Sequence, residues 1–568
     1  MSYIAPNGKI WFLHNVPLDK TYQNTLYWES YGNLTGRQRQ LDYFIGDDIN
    51  PSTFVKYRFT NQYYTRHEKG SIRVATLADN ILDCNYLVFQ NTSFLDASTN
   101  TSKYFFAFIT SVEYINNSVA QVNFEIDVIQ TWYFDYILEP CFVERMHVRT
   151  DTVGSWLEPE PVEPGEYEYS KIYKDEITGQ LVVIVAVVQV ENAQSQGTVY
   201  SNIYGGTTLW AFATADVAGI NAKISEYIVS PDSIVSIYMC PRCLIKETES
   251  LPNRIPDGGV QLQTSNIKTG SNLLSTTMPQ RDTSESFGNF TPHNKKLYTY
   301  PFTFLEVYTP FGANAKYRYE FFANGTPSFV YGGCITQPVE LVIVPTQYKD
   351  INPSQLVDLD LLMLESVSLK DYPMCSWNVD AFKAWVAQNS VPLGISVAAN
   401  SAGQAIGLAG SLATGNPLAI LGRITGIAGQ MVGDVTNIVS QTYTASIQAD
   451  KLNGQTNGSA SVGMNAHGFY FAKTVVNECS ARIIDSFFDR FGYSIKRIIE
   501  PQRMTRYYYT YVKTLGCTIH GSIPADDEDK ICQLHDTGIT YWNTLHTHDI
   551  GNFNLANSVT GNYPLGGS

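Results

Sequence analysis

The sequence predicts a mainly β protein with a few short helices, and three observations support that prediction. Tyr, Asn, Thr and Val are abundant, and aromatic residues make up 13% of the 568 positions. Tyr, Thr and Val fit the pleated, half-buried surface of a sheet better than they fit a long helix. Several stretches alternate apolar and polar residues between turn-forming Asn, Ser and Thr. Because 568 residues exceed what one ordinary core organises, we expect several domains.

The strand signals are clearest in the first 150 residues. The stretches "KYFFAFITSVEYI" and "SVAQVNFEIDVIQTWYF" alternate apolar and polar positions. Prolines and acidic residues then cluster from about residue 151 to 165, which indicates a domain boundary. The stretch "GQLVVIVAVVQVE" at 179–191 predicts a buried strand, since it is too short and too β-branched to cross a membrane as a helix. Residues 248–295 are poor in apolar side chains and predict a long exposed excursion.

Two helices are predicted near the C-terminus. The first, in "SARIIDSFFDRFG", would be capped by Ser480, end at Gly492 and bury one face, made of Ile483, Ile484, Phe487, Phe488 and Phe491. The acidic run 526–529 predicts the start of the second helix, between Pro524 and Gly538, because acids stabilise the positive end of a helix. A calcium loop is the alternative, but the ligand spacing and central glycine of an EF-hand are missing.

Charge and cysteine content argue against several functional classes. The formal net charge of −15 argues against a general nucleic-acid binder, although an acidic surface can line a channel for a polyanion. The N-terminus lacks the basic start and apolar core of a signal peptide, so we expect synthesis in a cytoplasm. Nine cysteines, an odd number, do not predict a disulfide framework. Cys240 and Cys243 are interpreted as ordinary thiols, with a redox pair or half a zinc site as alternatives.

Residues 391–435 differ from the rest of the chain. They are rich in Gly and Ala, and no charged residue lies between Lys383 and Arg423. Gly415-Asn416-Pro417 separates two arms, each of which is long enough to cross a hydrocarbon core as a helix. We expect the apolar residues of the segment to plug a channel or enter a membrane: Val391, Leu393, Ile395, Val397, Ile406, Leu408, Leu412, Leu418, Ile420, Leu421, Ile424, Ile427, Met431 and Val432. Small residues at four-residue spacing would let helices pack closely: Gly403, Gly407, Gly422, Gly426, Gly429 and Gly433.

Three interpretations of this segment compete. A permanent transmembrane hairpin would need more Leu and Phe than the segment contains. A buried structural linker is the simplest alternative. A loop that plugs a channel and enters a membrane only when released is favoured, because so much glycine does not specify one stable helix in water.

Two blocks of sequence carry a family resemblance. The first contains Phe89-Gln90-Asn91, Tyr104-Phe105-Phe106-Ala107-Phe108 and Phe124-Glu125-Ile126-Asp127-Val128-Ile129-Gln130-Thr131-Trp132. The second contains Phe491-Gly492-Tyr493, Thr505-Arg506, Tyr511-Val512, Gly538-Ile539-Thr540 and Ile550-Gly551-Asn552. The chain resembles the tail knob (distal tail tube) proteins of small, protein-primed, short-tailed bacteriophages of Gram-positive hosts. The resemblance covers about 150 residues at the start and 90 at the end, and leaves about 160–375 unmatched.

The resemblance implies a discontinuous, β-barrel-like tube domain in a ring-forming protein. Residues 1–160 and 461–568 would form the tube domain, 161–375 an inserted knob or receptor region, and 376–460 the hydrophobic loop. The implied protein is a homohexamer at the distal end of the virion tail, made in the host cytoplasm and attached to the proximal tail or lower collar protein. Viral double-stranded DNA would pass through the lumen without specific binding, and the loop would plug the lumen and then penetrate the host membrane during genome ejection.

Rival functions remain open at this point. A tail protein that binds cell-wall carbohydrate through the unmatched region, with a purely structural hydrophobic segment, is the alternative. A secreted pore-forming toxin would need a signal peptide. Catalysis is not expected: Trp156 beside Glu158 and Glu160 suits a sugar site, and His546-Thr-His548-Asp549 resembles metal ligands, but neither forms a complete set. We therefore predict no enzyme activity, no catalytic or metal site and no cofactor.

Overall fold

The computed structural model shows a mainly β protein with a few short helices, which confirms the predicted fold class. Its described residues divide into two compact units. Unit 1 comprises Met1–Glu166, Thr283–Phe302 and Val476–Ser568, and unit 2 comprises Tyr167–Asp282 and Thr303–Val475. The structure describes residues 8–47, 49–62, 70–95, 102–175, 177, 180–187, 199–200, 203–204, 208–226, 234–246, 255–263, 266, 274–349, 365–378, 451–455, 462, 466–545, 547–555 and 557.

The strands and helices are numbered in chain order. The strands before residue 150 are β1 (Gly8–His14), β2 (Thr25–Tyr27), β3 (Val55–Gln62), β4 (Ser71–Val74), β5 (Cys84–Leu95), β6 (Ser102–Asn116), β7 (Val119–Ile126), β8 (Tyr136–Leu138) and β9 (Cys141–Met146). The middle strands are β10 (Tyr167–Lys174), β11 (Leu181–Val187), β12 (Val199–Tyr200), β13 (Ile203–Tyr204), β14 (Thr208–Ala213), β15 (Ile234–Pro241), β16 (Val260–Gln261), β17 (Ser275–Thr277), β18 (Thr303–Tyr308), β19 (Asn314–Tyr317), β20 (Ser328–Cys334), β21 (Glu340–Thr346), β22 (Val367–Leu369), β23 (Met374–Asn378), β24 (Lys451–Gln455) and β25 (Tyr470–Val476). The last strands are β26 (Tyr493–Ile499), β27 (Tyr509–Leu515), β28 (Ile519–Gly521) and β29 (Ile539–Asn543). The α-helices within the described residues are α1 (Gly36–Phe44), α2 (Val128–Trp132), α3 (Val217–Glu226), α4 (Glu478–Phe491) and α5 (Ala525–Thr537).

Unit 1 contains a large antiparallel sheet with the strand order β3-β1-β5-β6-β7-β4. The predicted alternation is visible in β7, where Ala120, Val122 and Phe124 are buried and the residues between them are partly exposed. Aromatic side chains fill much of its core, and the rings of Phe89 and Phe105 stack with centroids 5.0 Å apart. Burial of such large apolar surfaces is the main stabilising contribution in this sheet.

The second sheet of unit 1 combines strands from both ends of the chain, in the order β2-β29-β27-β9-β26. Strand β9 lies between two C-terminal strands, and Met146 faces Tyr493 on one side and Val512 on the other. Strand β2 adds in parallel to β29, with Leu26 opposite Trp542. The N- and C-terminal parts of unit 1 therefore share backbone hydrogen bonds within one sheet.

The C-terminal helices show where the sequence predictions succeed and fail. Helix α5 begins after Pro524 and ends at Gly538, as predicted. Helix α4 ends at Gly492, as predicted, where φ is +66° and an added Cβ would approach the Met146 carbonyl oxygen to 2.4 Å. The predicted N-cap residue, Ser480, is wrong: Asn477 caps the helix, since its side chain accepts the backbone N–H of Ser480. The predicted apolar face is also partly wrong: Ile484 and Phe488 are buried, but Ile483 is 70% exposed.

The predicted exposed excursion at 248–295 is wrong at several positions, since Ile255, Leu262, Phe287 and Asn294 are buried. Its last part belongs to the segment Thr283–Phe302 of unit 1. The segment lacks strand or helix periodicity beyond a short 3₁₀ turn at Lys295–Tyr298. Because polar Asn and Lys side chains contribute to its burial, apolar composition alone does not identify it as part of a core.

A buried carboxylate, Glu160, joins three separate parts of unit 1. Its side chain is 1% exposed and forms ion pairs with Arg145 of β9 and with Lys296 of the segment Thr283–Phe302. The same carboxylate accepts the backbone N–H of Ser494 in β26 at 2.9 Å. Buried charges are costly unless each is paired and hydrogen-bonded, so these groups depend on one another.

Unit 2 is built from antiparallel sheets. Their strand orders are β16-β14-β11-β15-β23-β24, β17-β20-β21-β22, β10-β25-β18-β19 and the small pair β12-β13. Strand β11 confirms the buried strand predicted at 179–191, since it lies between β14 and β15 with Val182 and Ile184 buried. A continuous core extends from these residues to Phe329, Leu341 and Phe471.

We predict that Glu160→Gln lowers the free energy of unfolding of unit 1 by about 3–5 kcal/mol, because it leaves the buried Arg145 and Lys296 charges without their counter-charge. The matched control is Glu158→Gln, whose carboxylate is 3.9 Å from Arg497 between two partly exposed side chains. We expect the control to cost less than about 1 kcal/mol in urea unfolding. Equal losses in the two variants would contradict the assigned role of Glu160.

Two fully buried histidines, His147 and His535, are hydrogen-bonded as neutral rings. His535 donates from Nδ1 to the Ile531 carbonyl oxygen at 2.7 Å and accepts the Tyr541 hydroxyl at Nε2 at 2.9 Å. His147 accepts the Tyr511 N–H at Nδ1 at 2.8 Å. Burial lowers the pKa of His147 to about 3 and that of His535 to about 4. Both pKa values are below the pKa of a histidine in the unfolded chain, about 6.5. The stability that these neutral rings contribute above pH 6.5 is therefore lost as the pH falls.

We predict that His535→Gln flattens the pH dependence of the free energy of unfolding between pH 6.5 and pH 4, by about 3 kcal/mol over that window. Glutamine can make the same two hydrogen bonds but cannot take up the proton. The measurement is urea unfolding at several pH values, with exposed His520→Gln as the control that keeps the wild-type slope. Buried Asp127, whose pKa is raised to about 7, contributes a stability that increases as the pH falls. The slope of His535→Gln is therefore compared with the wild-type slope, to which Asp127 contributes equally. A wild-type slope in His535→Gln would contradict this prediction.

Candidate functional site

The hydrophobic segment predicted to be functional lies outside the described residues. This holds for every apolar and small residue named within 391–435. The nearest described strands before and after the segment in sequence are β23 and β24, which pair antiparallel in unit 2. Asn378 lies opposite Lys451, and Trp377 lies opposite Leu452. The described strands nearest to the segment on either side are therefore hydrogen-bonded neighbours in one sheet.

The motif at 124–132 is a polar hub inside unit 1. Asp127 caps α2 by accepting the Gln130 N–H at 3.0 Å, and it also accepts the Tyr86 hydroxyl at 2.9 Å. Asp127 is 1% exposed, and this burial raises its pKa to about 7. A short helix is thus fixed to the large sheet by one buried side chain. The sequence identified this motif through the resemblance, but not the partners of Asp127.

Gln130 and Trp132 connect the same motif to both ends of the chain. The Gln130 side chain accepts Trp28 Nε1 at 2.6 Å and donates to Thr25 Oγ1 at 3.0 Å. Trp132 Nε1 donates to Asp527 Oδ2 of α5 at 2.8 Å. A buried network in which each polar group has a partner specifies one arrangement of the surrounding elements. The function of this motif is therefore to build unit 1.

At the candidate sugar site around Trp156, one of the two carboxylates is already engaged in buried ion pairs. Glu160 is engaged by Arg145 and Lys296, as described for the fold. The Glu158 backbone oxygen accepts from Lys296 Nζ at 2.9 Å, and the Arg497 guanidinium lies over the Trp156 ring. The carboxylate of Glu160 thus stabilises the fold and is not available as a paired catalytic carboxylate. His546, from the candidate metal motif, lies outside the described residues.

The cysteine pair is buried in unit 2. Neither Cys240 nor Cys243 forms a disulfide bond, and burial raises the pKa of Cys240 well above its ordinary value. A protonated, buried thiol is a poor nucleophile and a poor metal ligand. This environment agrees with the interpretation of the pair as ordinary thiols.

Within the described residues, one group of side chains could hold a metal ion: His293, Asp485 and Asp489 of unit 1. Sequence reasoning missed this group, because His293 is distant in sequence from the other two. A signal was available in the helix, since Asp485 and Asp489 are one turn apart on an otherwise apolar face.

Unit 2 has a small surface cavity of about 180 Å³, lined in part by Tyr238, Tyr372, Glu340 and Lys370. Glu340 and Lys370 pair with each other across 3.2 Å. Ligand sites generally enclose about 300–1,000 Å³, so this cavity does not by itself support a carbohydrate site. In the described ranges, no helix combines the length and apolar character needed to cross a bilayer.

Comparisons of this chain with known proteins agree on one family. One matching family model, described as Bacillus phage phi29, tail knob protein gp9, C-terminal domain, covers residues 264–558. A second, described as caudoviral major tail protein N-terminus, covers residues 6–137. The two models together match both the N-terminal and the C-terminal parts of unit 1.

Relatives and a solved structure extend the similarity along the whole chain. The tail knob protein gp9 of Bacillus phage B103 is 24% identical over 98% of this chain and 100% of its own length. Its counterpart in Bacillus phage phi29 is 23% identical over the same shares. The structure of the bacteriophage C1 tail knob protein, gp12, shares the fold, with a TM-score of 0.57 at 13% identity over 97% of this chain and 99% of that one. The chain therefore belongs to the phage tail knob protein family, and it is a component of the virion tail.

Proposed function

We propose that the protein forms the distal knob of a short tail as a homohexameric ring on the proximal tail or lower collar protein, and that its lumen guides the genome during ejection. Segment 391–435 plugs this lumen before infection and afterwards penetrates the host membrane. No step of this role requires catalysis or a cofactor. Membership of the tail knob family supports the structural part of the proposal.

The pairing of β23 with β24 is the observation that best supports a segment able to change conformation. Because Asn378 and Lys451 are paired, both ends of the excursion are held at one place on the sheet. A change of conformation between residues 379 and 450 can therefore take place without changing the strand register of unit 2. This is the property required of a segment that is stored in one state and used in another.

The composition of the segment supports the same role. Glycine costs about 1 kcal/mol per position relative to alanine in a helix, so one isolated copy is a weak membrane-spanning element. Six copies in one ring would surround a common axis and could line a pore together. The net charge of −15 per chain suits a passage for DNA, since acidic walls repel phosphates and prevent tight binding.

The alternative function is binding of cell-wall carbohydrate, with a purely structural hydrophobic segment. It predicts that the segment has no effect on membranes. The experiments on the segment therefore separate the two functions.

We predict that the full-length protein releases dye from lipid vesicles and that a variant lacking 391–435 does not. The expected cause is insertion of the apolar side chains into the hydrocarbon core. Release is measured from pH 7 to pH 5, with the ring checked by mass photometry. A matched control keeps the full length but carries Ile406→Asp and Ile424→Asp, which make insertion costly. If neither the full-length protein nor the isolated 391–435 peptide releases dye, the membrane role is wrong.

We also predict that deleting 391–435 leaves ring assembly intact but abolishes genome delivery by particles that carry the variant. The β23–β24 pairing lies outside the deletion, so the sheet of unit 2 should be retained. Assembly is measured by electron microscopy of rings and delivery by DNA release into host cells. Loss of the ring itself would show that the segment is structural.

A further inference from the structure

The group formed by His293, Asp485 and Asp489 has the spacing of metal ligands. One ligand atom from each of the three side chains lies within 4.8 Å of the others. Nδ1 of His293 is 3.4 Å from Asp489 Oδ2 and 3.6 Å from Asp485 Oδ2. Ligands at about 2.0–2.1 Å from a tetrahedral zinc ion are about 3.4 Å from one another. An ion therefore fits between these atoms with small adjustments.

Neighbouring groups orient the two carboxylates. The Asn294 side chain donates from Nδ2 to Asp485 Oδ1 at 3.0 Å and to Asp489 Oδ1 at 2.7 Å. Both Oδ2 atoms are thereby left on the side of the His293 ring, although Asp485 Oδ2 also accepts the backbone N–H of His293 at 3.0 Å. The Asn294 Oδ1 atom is in turn 3.3 Å from the Tyr493 hydroxyl, whose closer acceptor is Asp151 Oδ1 at 2.8 Å. Metal ligands are generally held by such outer hydrogen bonds.

The charges of the group also favour a cation. Asp485 is 2% exposed. Among the described residues, Asp485 and Asp489 both form their ion pairs with the His293 ring. Two neighbouring carboxylates in a buried place are costly unless a cation neutralises them. The His293 side chain is 54% exposed, which leaves a path for an ion and a water ligand.

We propose that His293, Asp485 and Asp489 bind one divalent transition-metal ion, with Zn²⁺ as the best match. The mixture of one imidazole and two carboxylates suits Zn²⁺ or Mn²⁺, whereas Ca²⁺ and Mg²⁺ prefer oxygen ligands alone. The ion would join the segment Thr283–Phe302 to helix α4 within unit 1. It would stabilise the fold of a tail protein that is exposed to varied surroundings outside the cell, without taking part in catalysis.

The test is isothermal titration of the full-length protein with Zn²⁺ after dialysis against EDTA. We expect saturable binding of one ion per chain, with affinity reduced at least 10-fold in His293→Ala and in Asp489→Asn. Thermal unfolding of the wild type should shift upward with Zn²⁺, and this shift should be lost in the same two variants. Ca²⁺ and Mg²⁺ at the same concentrations should bind much more weakly.

The matched control is His520→Ala, which removes another exposed histidine of unit 1 and should leave binding unchanged. The nine cysteines are present in each variant, so binding that persists in His293→Ala and Asp489→Asn would be assigned to thiols and would overturn the proposal. Absence of saturable binding by the wild type would overturn it as well. A variant that fails to fold is recognised by circular dichroism, and His293→Gln then replaces it, because the exposed ring can change without disturbing the core.

Discussion

Unit 1 depends on the burial of one carboxylate among groups that come from distant parts of the chain. Glu160 faces Arg145, Lys296 and the Ser494 N–H, which belong to the N-terminal part, the inserted segment and the C-terminal part. The chain length between them is a small obstacle, since closing a loop of twice the length costs only about 0.6 kcal/mol more. Burial of unpaired charge would cost several times that amount. The pairing therefore makes the three segments mutually dependent.

The polar hub at 124–132 applies the same constraint beside the large sheet. Asp127, Gln130 and Trp132 each direct a polar atom inward, and each finds a partner on a different element. Aromatic packing alone tolerates alternative arrangements of similar volume, whereas a buried polar atom without its partner is penalised. The apolar core supplies most of the stability, and these hydrogen bonds select one arrangement of the strands and helices.

The sequence predicted local features well and long-range ones poorly. The alternation in β7, the buried strand β11 and the limits of α5 were readable, because each is specified by neighbouring residues. Ile483 was placed on the wrong face, since adjacent apolar residues straddle the edge of the buried stripe of α4. Glu160 stands in a proline-rich acidic stretch that is typical of an exposed linker, and its burial requires partners that no local pattern reveals. The group of His293 with Asp485 and Asp489 was missed for the same reason.

The pairing of β23 with β24 gives a physical reason why a glycine-rich, nearly uncharged segment is tolerated in a folded virion protein. A segment without one preferred structure would weaken a sheet if it supplied internal strands, because its alternative conformations would compete with the register. Here Asn378, the last described residue before the segment, is paired with Lys451, the first described residue after it. The register of these two strands is set by their own residues and places no requirement on the composition of the chain between them. Selection can then act on another property of that stretch, and a hydrophobic sequence with weak helix propensity is one that the core of a sheet would otherwise exclude.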